Sequence, residues 1–328
     1  MSRPTPRYEI GDQSGQFVVV TGASSGLGLQ SARRLAAAGA EVLLAVRDAD
    51  RGERARESIA REHPDALLGT ALVDLADLAS IEEFGQRLRA EGRAIDVLVN
   101  NAGVKVLPER TETVDGFEQH IGTNFLGHFA LTGHLLPLLH DAPAPRVVSL
   151  GSIAATMHNV SIENLQLTSR YSKMRAYGQS KRACIVFAVE LQRRASAHGW
   201  NLISTSAHPG YAAESSYAPS VPIDPLVRRI GRVGTELGTL ANRALAWGAK
   251  SSRAAGLWHT FAEGAACTLY AATDPAVLPG AYIAPSGLAG LAGAPRPANP
   301  PQGALDPVLG ARLWDVAEEL TGVRYLSD

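Results

Sequence analysis

The sequence predicts an α/β fold in which one doubly wound parallel sheet of about seven strands carries helices on both faces. Short apolar segments alternate with longer segments of helical composition along most of the chain. Such alternation is typical of parallel strands joined by right-handed helical crossovers. The short segments are rich in valine and leucine, as in strands that are buried on both faces. No linker or internal repeat divides the 328 residues.

Each predicted strand is a short run of valine, leucine, isoleucine and alanine, and most end at a polar residue or a glycine. Residues 17–20, for example, read F-V-V-V and lead into Thr21 and Gly22. The predicted strands are 17–20, 41–46, 67–73, 95–99, 146–150, 202–206 and 281–283.

The predicted helices are longer runs that are rich in alanine, leucine, arginine and glutamate. The first stops at Gly39, which is typical of a helix C-terminus. Ser80 and Glu83 fit the capping box of a later helix. The predicted helices are 27–38, 49–62, a helix that begins at Ser80, 116–139, 173–197, 226–249, 253–272 and 311–320.

The alternating pattern covers residues 16–285, which we predict to form one domain. Residues 1–15 are polar, contain two prolines and lack the apolar core of a signal peptide, so we predict an N-terminal arm. Residues 286–328 are predicted to form a C-terminal loop and a short helix. The loop is expected at 287–307 because that stretch is rich in glycine, alanine and proline.

The composition favours a soluble, cytoplasmic protein. A hydrophobic content of 45% allows a large core, and a net charge of −1 gives no overall field that would attract nucleic acid or a membrane surface. No apolar run reaches the ~18 residues that a membrane span requires. Cys184, Cys267 and the four histidines between residues 120 and 140 show no metal-ligand spacing, so we predict no metal site and buried free thiols.

The stretch from Thr21 to Gly28 reads T-G-A-S-S-G-L-G and joins the first strand to the first helix. Glycines at this junction allow a sharp turn, a close approach to a pyrophosphate and tight packing of helix on strand, and the helix start offers N–H groups to the anion. The spacing G-x-x-x-G-x-G differs from the common G-x-G-x-x-G. The stretch predicts a dinucleotide site formed by Gly22, Ser24, Ser25, Gly26, Leu27 and Gly28.

Other polar clusters follow the ends of other predicted strands, where ligands bind in sheets of this kind. They include Arg47, Asp74, the N-N-A-G run at 100–103 and Ser152. Arginine at the end of the second strand suits the 2′-phosphate of NADP, whereas an acidic residue there would hold the ribose of NAD. We therefore favour NADP(H) over NAD(H), although Asp48 follows Arg47 directly.

Tyr177 and Lys181 are four residues apart in a predicted helix, so their side chains share one face. At ~5 Å and an effective dielectric of ~20, the ammonium would favour a phenolate by roughly 3 kcal/mol, which suits acid/base chemistry. The pair could also be an ordinary surface pair. Tyr171 is a weaker candidate because Arg175, four residues later, cannot share protons.

Two further polar residues are candidates. Ser152 follows the fifth strand and either donates to a carbonyl oxygen or caps a turn. Asn124 interrupts an apolar helix, where its amide competes for backbone hydrogen bonds, so we expect a kink, an ordered water or a bond to a neighbouring backbone group.

Taken in order, these motifs resemble the short-chain dehydrogenases/reductases over residues 17–283, which implies a Rossmann fold. Arg47 after L-L-A-V and the run R-A-Y-G-Q-S-K at 175–181 are similar to the retinol dehydrogenase and WW-domain oxidoreductase branch. That branch also resembles the light-dependent protochlorophyllide reductases. The resemblance is carried by Thr21, Gly22, Gly26 and Gly28, by Asn100 to Gly103, and by Asn124, Ser152, Tyr177, Lys181, Pro209 and Gly210.

The resemblance implies a role for each residue. Tyr177 would be the acid/base, Lys181 would favour the phenolate and bind the nicotinamide ribose, Ser152 would hold the reacting oxygen, and Asn124 would order a water in a proton relay. The implied cofactor contacts are Asp74 and Leu75 near the adenine, Asn101, Ala102 and Gly103 along the cofactor, and His208, Pro209 and Gly210 near the nicotinamide.

Two departures from the family pattern stand out. Glu214 takes the place of an expected threonine after Pro209-Gly210, a role that Ser215 could fill. Residues 156–175 form an insertion between Ser152 and Tyr177, which would shape the pocket or alter a helix face that many members use for dimers.

In the family that this chain resembles, the segment that corresponds to residues 211–258 covers the substrate. In this chain the first part of that segment is apolar. We therefore predict an NADP-dependent oxidoreductase that acts on a lipophilic alcohol, ketone or aldehyde, as a homodimer or a monomer without nucleic acid. The apolar residues could instead pack only against the fold. Two other functions remain open: a non-catalytic NADP(H) sensor that binds a protein partner, and a reductase of a conjugated C=C bond.

Overall fold

The structure of the chain is a computed structural model that describes residues 8–213 and 258–325. The helix predicted at 226–249 and the first part of the one predicted at 253–272 lie outside the described residues. Most of the substrate-covering segment, including Glu214 and Ser215, also lies outside them.

Within the described residues, the main sheet has eight strands, and two short strands pair separately. In chain order the strands are β1 (Phe17–Thr21), β2 (Glu41–Val46), β3 (Leu68–Leu72), β4 (Val97–Asn100), β5 (Arg146–Leu150), β6 (Ile203–Ala207), β7 (Ala212–Ala213), β8 (His259–Thr260), β9 (Tyr282–Pro285) and β10 (Pro295–Ala298). The main sheet has the order β10-β9-β6-β5-β4-β1-β2-β3, and β7 pairs with β8.

The predicted fold is confirmed, because every neighbouring pair in the main sheet is parallel except β9 and β10. β1 pairs with β2 on one side and with β4 on the other, so the strand order reverses there. In sheets of this type a ligand crevice forms at the carboxyl ends of the strands on either side of such a reversal.

The described helices alternate with the strands along much of the chain and cover both faces of the sheet. Val18 and Val20 of β1 pack in one core cluster, whereas Phe17 and Val19 pack in the other, as alternation along a strand requires. The helices are α1 (Gly26–Ala37), α2 (Ala49–Glu62), α3 (Leu78–Glu91), α4 (Gln119–Ile121), α5 (Gly127–His140), α6 (Lys173–Ala197), α7 (Phe261–Thr273) and α8 (Pro307–Thr321). None of the described helices combines the length and apolarity needed to cross a membrane.

The capping box predicted at Ser80 is wrong by one turn. α3 begins after Asp77, whose carboxylate accepts the N–H groups of Ala79 and Ser80. The Ser80 hydroxyl accepts the N–H of Asp74 at 3.0 Å and so ties the helix to the end of β3. An aspartate cap uses the same physical chemistry as a serine cap, and the sequence offered both within four residues.

The helix predicted at 116–139 exists from Gln119 to His140, but it is not a single regular α-helix: α4 is followed by a π-helical turn at Gly122–Leu126 and then by α5. The predicted kink at Asn124 therefore takes the form of a π turn. Such turns are rare and often occur at functional sites.

The C-terminal region differs most from its prediction. Residues 287–307 include a 3₁₀ turn at Leu288–Gly290 and the strand β10, which pairs antiparallel with β9. β10 contains Pro295 and Pro297, which an edge strand tolerates because only one of its sides pairs. α8 is longer than the helix predicted at 311–320, and it packs on α6.

An aromatic cluster joins α8 to the core. Trp314 of α8 lies 5.1 Å from Phe129 of α5 and 5.9 Å from Phe187 of α6, measured between ring centroids. Tyr325 lies 4.5 Å from Trp314, and its hydroxyl donates to the carbonyl of Phe129. The C-terminal region therefore belongs to the core that supports α5 and α6.

Candidate active site

A cleft of about 430 Å³ lies at the carboxyl ends of the strands, where the strand order reverses. The predicted nucleotide-binding residues of the first half of the chain all line it. They are Gly22, Ser24, Ser25, Gly26, Leu27, Gly28, Arg47, Asp74, Leu75, Asn101, Ala102 and Gly103. The structure therefore brings together residues from the ends of β1, β2, β3 and β4.

The glycine turn forms the floor of this cleft. Gly22 has a φ of +65°, a conformation that favours glycine. A Cβ on Gly28 would lie 2.5 Å from the carbonyl oxygen of Gly22, so only glycine allows α1 to pack this closely on the turn. Ser25 is the N-cap of α1 but makes no side-chain cap hydrogen bond, and the first residues of α1 line the cleft. This arrangement leaves N–H donors for an anion.

The far end of the cleft carries two arginines and one aspartate. Arg47 follows β2, and Arg51 lies in the first turn of α2. Asp48 is the N-cap of α2, and its carboxylate accepts the N–H of Arg51 at 2.9 Å. The carboxylate of Asp48, which weakened the sequence-based preference for NADP(H), is therefore hydrogen-bonded to the backbone of α2.

A buried histidine connects the nucleotide turn to the π turn. His128 Nε2 lies 2.9 Å from the Thr21 hydroxyl, and Nδ1 lies 2.9 Å from the carbonyl oxygen of Asn124. Burial lowers the pKa of His128 to about 3, so the ring is neutral. Because Nδ1 faces a carbonyl it carries the proton, and Nε2 accepts from Thr21.

The Thr21 hydroxyl also accepts the N–H groups of Asn101 at 2.9 Å and Ala102 at 3.0 Å. One hydroxyl at the end of β1 thus holds the start of the N-N-A-G run against the glycine turn. The Asn101 amide strengthens this contact by donating to the Thr21 carbonyl at 2.7 Å.

Asn124 holds the next part of the same run. Its Oδ1 accepts the N–H of Val104 at 2.8 Å, and its Nδ2 donates to the Ser180 hydroxyl at 2.9 Å. The backbone carbonyl of Asn124 accepts from His128 and from Cys184 Sγ, which lies 3.1 Å away. The side chain therefore bridges the cleft wall and α6, in place of the single backbone bond that one alternative allowed.

Lys181 is buried on α6, and its ammonium donates to the carbonyl of Leu150 at 3.0 Å. Lys181 Nζ and Asn124 Oδ1 both face Gly103, at 3.3 Å and 2.9 Å from the position that a Cβ would take there. Tyr177 is half-buried one turn earlier on the same helix. Lys181 and Asn124 thus meet at Gly103, where α6, the π turn and the N-N-A-G run converge, and Tyr177 lies one turn away on α6.

Ser152 follows β5 and begins a 3₁₀ turn at Ile153–Thr156. Its hydroxyl oxygen accepts the N–H of Ala154 at 3.2 Å, so the turn-capping role exists, while the hydroxyl proton remains available as a donor. Arg182 on α6 donates to the carbonyl of Ala155 at 2.7 Å and holds this turn beside the helix. The competing Tyr171 hydroxyl donates to the carbonyl of Glu109.

His208, Pro209 and Gly210 lie after β6 and do not line the cleft described above. Burial, reinforced by His259, lowers the pKa of His208 to about 4, and its Nδ1 accepts the N–H of Gly210 at 3.0 Å. Gly210 has a φ of +71° and packs against the carbonyl of Leu291. The continuation toward Glu214 lies outside the described residues.

The cleft contains residues that the sequence argument missed, namely Arg51, Val104, Lys105, Thr123 and Phe261. Arg51 was detectable, since it lies in the first turn of the predicted helix that follows Arg47. Phe261 gave no signal, because it begins α7 more than two hundred residues after the glycine turn. No group of three or more metal-ligating side chains occurs among residues 8–213 and 258–325.

Cys184 and Cys267 are buried thiols in α6 and α7, as predicted. Burial raises the pKa of the Cys184 thiol, which acts as a donor to Asn124.

Several known proteins are similar to this chain. The chain is 36% identical to polyprenol dehydrogenase of Mus musculus over 316 residues, which covers 94% of this chain and 85% of that protein. It is 41% identical to retinol dehydrogenase 12 of Mus musculus over 196 residues, and this match spans 61% of that relative's length. A solved structure of an uncharacterized protein from Mycobacterium paratuberculosis matches with a TM-score of 0.76 at 35% identity, covering 98% of this chain and 99% of that one.

The family model described as short chain dehydrogenase matches residues 16–218, the part of the chain that contains the glycine turn, the π turn and the Tyr177–Lys181 helix. The chain therefore belongs to the short-chain dehydrogenase family of oxidoreductases, in the branch that contains the retinol dehydrogenases.

Proposed function

We propose that this protein is an NADP(H)-dependent oxidoreductase that interconverts an alcohol and a carbonyl group on a lipophilic small molecule, with Tyr177 as the acid/base. The observation that carries the proposal is the meeting of Lys181 and Asn124 against Gly103 of the nucleotide cleft, one helical turn from Tyr177. A nicotinamide group bound there would supply or accept the hydride.

The hydrogen-bond donors and the open space of the cleft fit such a cofactor. The start of α1 offers N–H groups that no Ser25 side chain caps, and a Cβ at Gly26 would meet nothing closer than 4.0 Å. Gly22 to Gly28 would hold the pyrophosphate, while Asp74 and Leu75 would contact the adenine.

The proposed roles of the catalytic residues follow from their contacts. Lys181 uses one of its three N–H groups on Leu150, which leaves two for the cofactor ribose and the phenolate. The Tyr177 hydroxyl gives its proton to the carbonyl oxygen during reduction and takes it back during oxidation. Ser152 donates its free hydroxyl proton to the same oxygen, and Asn124 keeps Val104 and α6 in register.

The preference for NADP(H) rests on the charges at the far end of the cleft. Arg47 and Arg51 both line it, and the carboxylate of Asp48 is engaged at the start of α2. Two guanidinium groups suit a phosphate ester on the ribose, because charge-assisted bonds from arginine are strong and directional.

A lipophilic substrate is supported by the names of the relatives, which are a polyprenol dehydrogenase and a retinol dehydrogenase. The apolar residues between 221 and 230 that first suggested such a substrate lie outside the described residues. We therefore choose retinal and farnesal as test substrates, since both are long unsaturated aldehydes.

The central experiment compares Tyr177→Phe with the parent protein. We expect kcat for the reduction of either aldehyde to fall by about 10²- to 10⁴-fold, while the Kd for NADPH stays unchanged. Tyr171→Phe is the matched control and should retain the parent rate. A Tyr177→Phe variant with parental turnover would contradict the proposal, and a saturated product would indicate reduction of the conjugated C=C bond instead.

The cofactor preference is tested with Arg47→Ala and with the double variant that also carries Arg51→Ala. Loss of one charge-assisted contact should weaken NADPH binding by about 10- to 100-fold and leave NADH binding unchanged. Equal weakening for both cofactors would show that these arginines do not select the phosphate. Binding of NADPH by the parent without turnover of any aldehyde would favour the sensor alternative.

A further inference from the structure

Glu118 and His120 form a buried pair beside Tyr177, and the proposed mechanism uses neither of them. Their side chains are 1% and 0% exposed. His120 Nδ1 lies 2.7 Å from Glu118 Oε1, and the other carboxylate oxygen accepts the N–H of Ile121 at 2.9 Å. Burying a carboxylate and an imidazole is costly unless both are fully hydrogen-bonded. Their position near the proposed active site therefore asks for an explanation.

The other end of the imidazole faces the wall of the nucleotide cleft. His120 Nε2 lies 3.1 Å from the carbonyl oxygen of Lys105 and 3.2 Å from the backbone nitrogen of Leu107. Lys105 lines the cleft, and the neighbouring Val104 is held by Asn124. The cleft wall after Gly103 is thus fastened at two successive points, first by Asn124 and then by His120.

The imidazole ring is also close to Tyr177. The ring centroids of His120 and Tyr177 are 6.2 Å apart, and the planes meet at 70°. This edge-to-face geometry is the one that aromatic pairs favour. His120 therefore contacts the tyrosine on one side and the cleft wall on the other.

The pair is also tied to the insertion at 156–175. The backbone N–H of Glu118 donates to Gln166 Oε1 at 2.8 Å. Within the same insertion, Leu165 and Leu167 are buried. The insertion therefore packs against the residues that orient His120.

We propose that His120 is a positioning residue for Tyr177, and that Glu118 fixes its orientation. This inference rests on the proposed role of Tyr177. The carboxylate of Glu118 accepts a hydrogen bond from the Nδ1–H of His120. Nε2 then carries no proton and accepts the N–H of Leu107. With both ends bonded, the ring cannot rotate, so it holds the tyrosine and residues 105–107 at a fixed separation. A misplacement of about 1 Å at a reacting group is enough to slow a reaction by about 100-fold.

The test uses His120→Leu and His120→Gln, with His134→Leu as the matched control. Leucine removes the ring and both hydrogen bonds, and we expect kcat to fall by about 100-fold. The Kd for NADPH and the KM for the aldehyde should change little, because His120 is fully buried and does not line the nucleotide cleft. His134 lies on α5, is half-buried, and should give parental kinetics.

Glutamine restores one end of the imidazole. Its amide oxygen can accept the N–H of Leu107, the bond that Nε2 makes in the parent. We expect His120→Gln to recover about 10-fold of the kcat lost in His120→Leu, which corresponds to one restored hydrogen bond. If His120→Leu does not fold, His120→Gln should still have a kcat about 10-fold below the parent with unchanged Kd for NADPH.

Two results would overturn the inference. One is parental kcat in folded His120→Leu or His120→Gln. The other is a fall in kcat that is matched by the loss of NADPH binding and of thermal stability, which would mark His120 as a structural residue only. Retained turnover in Tyr177→Phe would instead remove the proposed function itself, whatever the His120 variants show.

Discussion

The nucleotide end and the catalytic end lie on the same edge of the sheet, but they are held in place by different means. The nucleotide end is shaped by backbone, with Gly22 at positive φ and Gly28 packed against the Gly22 carbonyl. The catalytic end is shaped by buried polar side chains, above all Asn124 and Lys181. The first depends on residues that are neighbours in sequence, and the second on contacts between distant segments.

The difference shows how each end tolerates change. A glycine turn loses its shape when any side chain is added, because the space is filled by backbone that cannot move aside. A buried hydrogen-bond network can lose one member and keep its geometry if the remaining groups find other partners. Three substitutions test this contrast, in order of decreasing effect on stability or binding.

The largest effect is expected for Trp314→Ala, which removes the support of the catalytic end. Trp314 is 2% exposed and contacts Phe129, Phe187 and Tyr325. Truncation of a buried tryptophan costs about 3–5 kcal/mol of unfolding free energy. We expect that loss in chemical denaturation, with an unchanged Kd for NADPH in the folded protein, because no contact of Trp314 reaches the nucleotide cleft.

Val308→Ala is the control on the same helix, since Val308 is 65% exposed and should cost less than about 0.5 kcal/mol. Equal losses for both variants would show that α8 contributes to stability through its surface and not through the aromatic cluster.

The second effect concerns the nucleotide end. Gly28→Ala would place a methyl group 2.5 Å from the carbonyl oxygen of Gly22. Such overpacking costs about 1–3 kcal/mol, or roughly 10- to 100-fold in affinity if the cofactor site bears it. Isothermal titration with NADPH measures the change. Gly11→Ala is the control, because a Cβ on Gly11 meets nothing within 4 Å. An NADPH affinity for Gly28→Ala equal to that of the control would contradict the backbone argument.

The fold was predictable from the sequence because its signals are local. The alternation of apolar strands and helices gave the sheet, and the bounds of Glu41–Val46, Ala49–Glu62, Arg146–Leu150 and Lys173–Ala197 agree fully with the prediction. The π turn, β10 and the full length of α8 were missed. Each of these depends on tertiary packing, such as a proline-containing strand that survives because it lies at a sheet edge.

The site was predictable in its motifs but not in its connections. The spacing of Tyr177 and Lys181 predicted a shared helix face, and glycines marked the nucleotide turn. The bond between Thr21 and His128 spans 107 positions, and the contact of His120 with Tyr177 spans 57. A histidine in an apolar helix has no pattern that distinguishes a packed residue from one that joins two functional segments, so only the structure separates them.

The smallest effect, and the one that joins the two ends, is expected for His128→Leu. The substitution removes the bonds to Thr21 and Asn124, yet neither group is left alone. The Thr21 hydroxyl can donate to the carbonyl of Val99, 3.2 Å away, and the Asn124 carbonyl still accepts from Cys184. We therefore expect a loss of only about 1 kcal/mol in unfolding free energy at pH 7.

Acid pH should reverse the sign of this difference. His128 keeps a pKa of about 3 in the folded state, against an ordinary value of 6.5. Between pH 3 and pH 6.5, His128 is protonated in the unfolded chain and neutral in the folded chain. The parent therefore loses stability as the pH falls below about 6.5. His128→Leu lacks this penalty, so denaturation should show a deficit for the variant at pH 7 that changes sign at pH 5. A deficit that is the same at both pH values would contradict this, because it would mean that folding leaves the pKa of His128 unchanged and that the buried ring is protonated at pH 5.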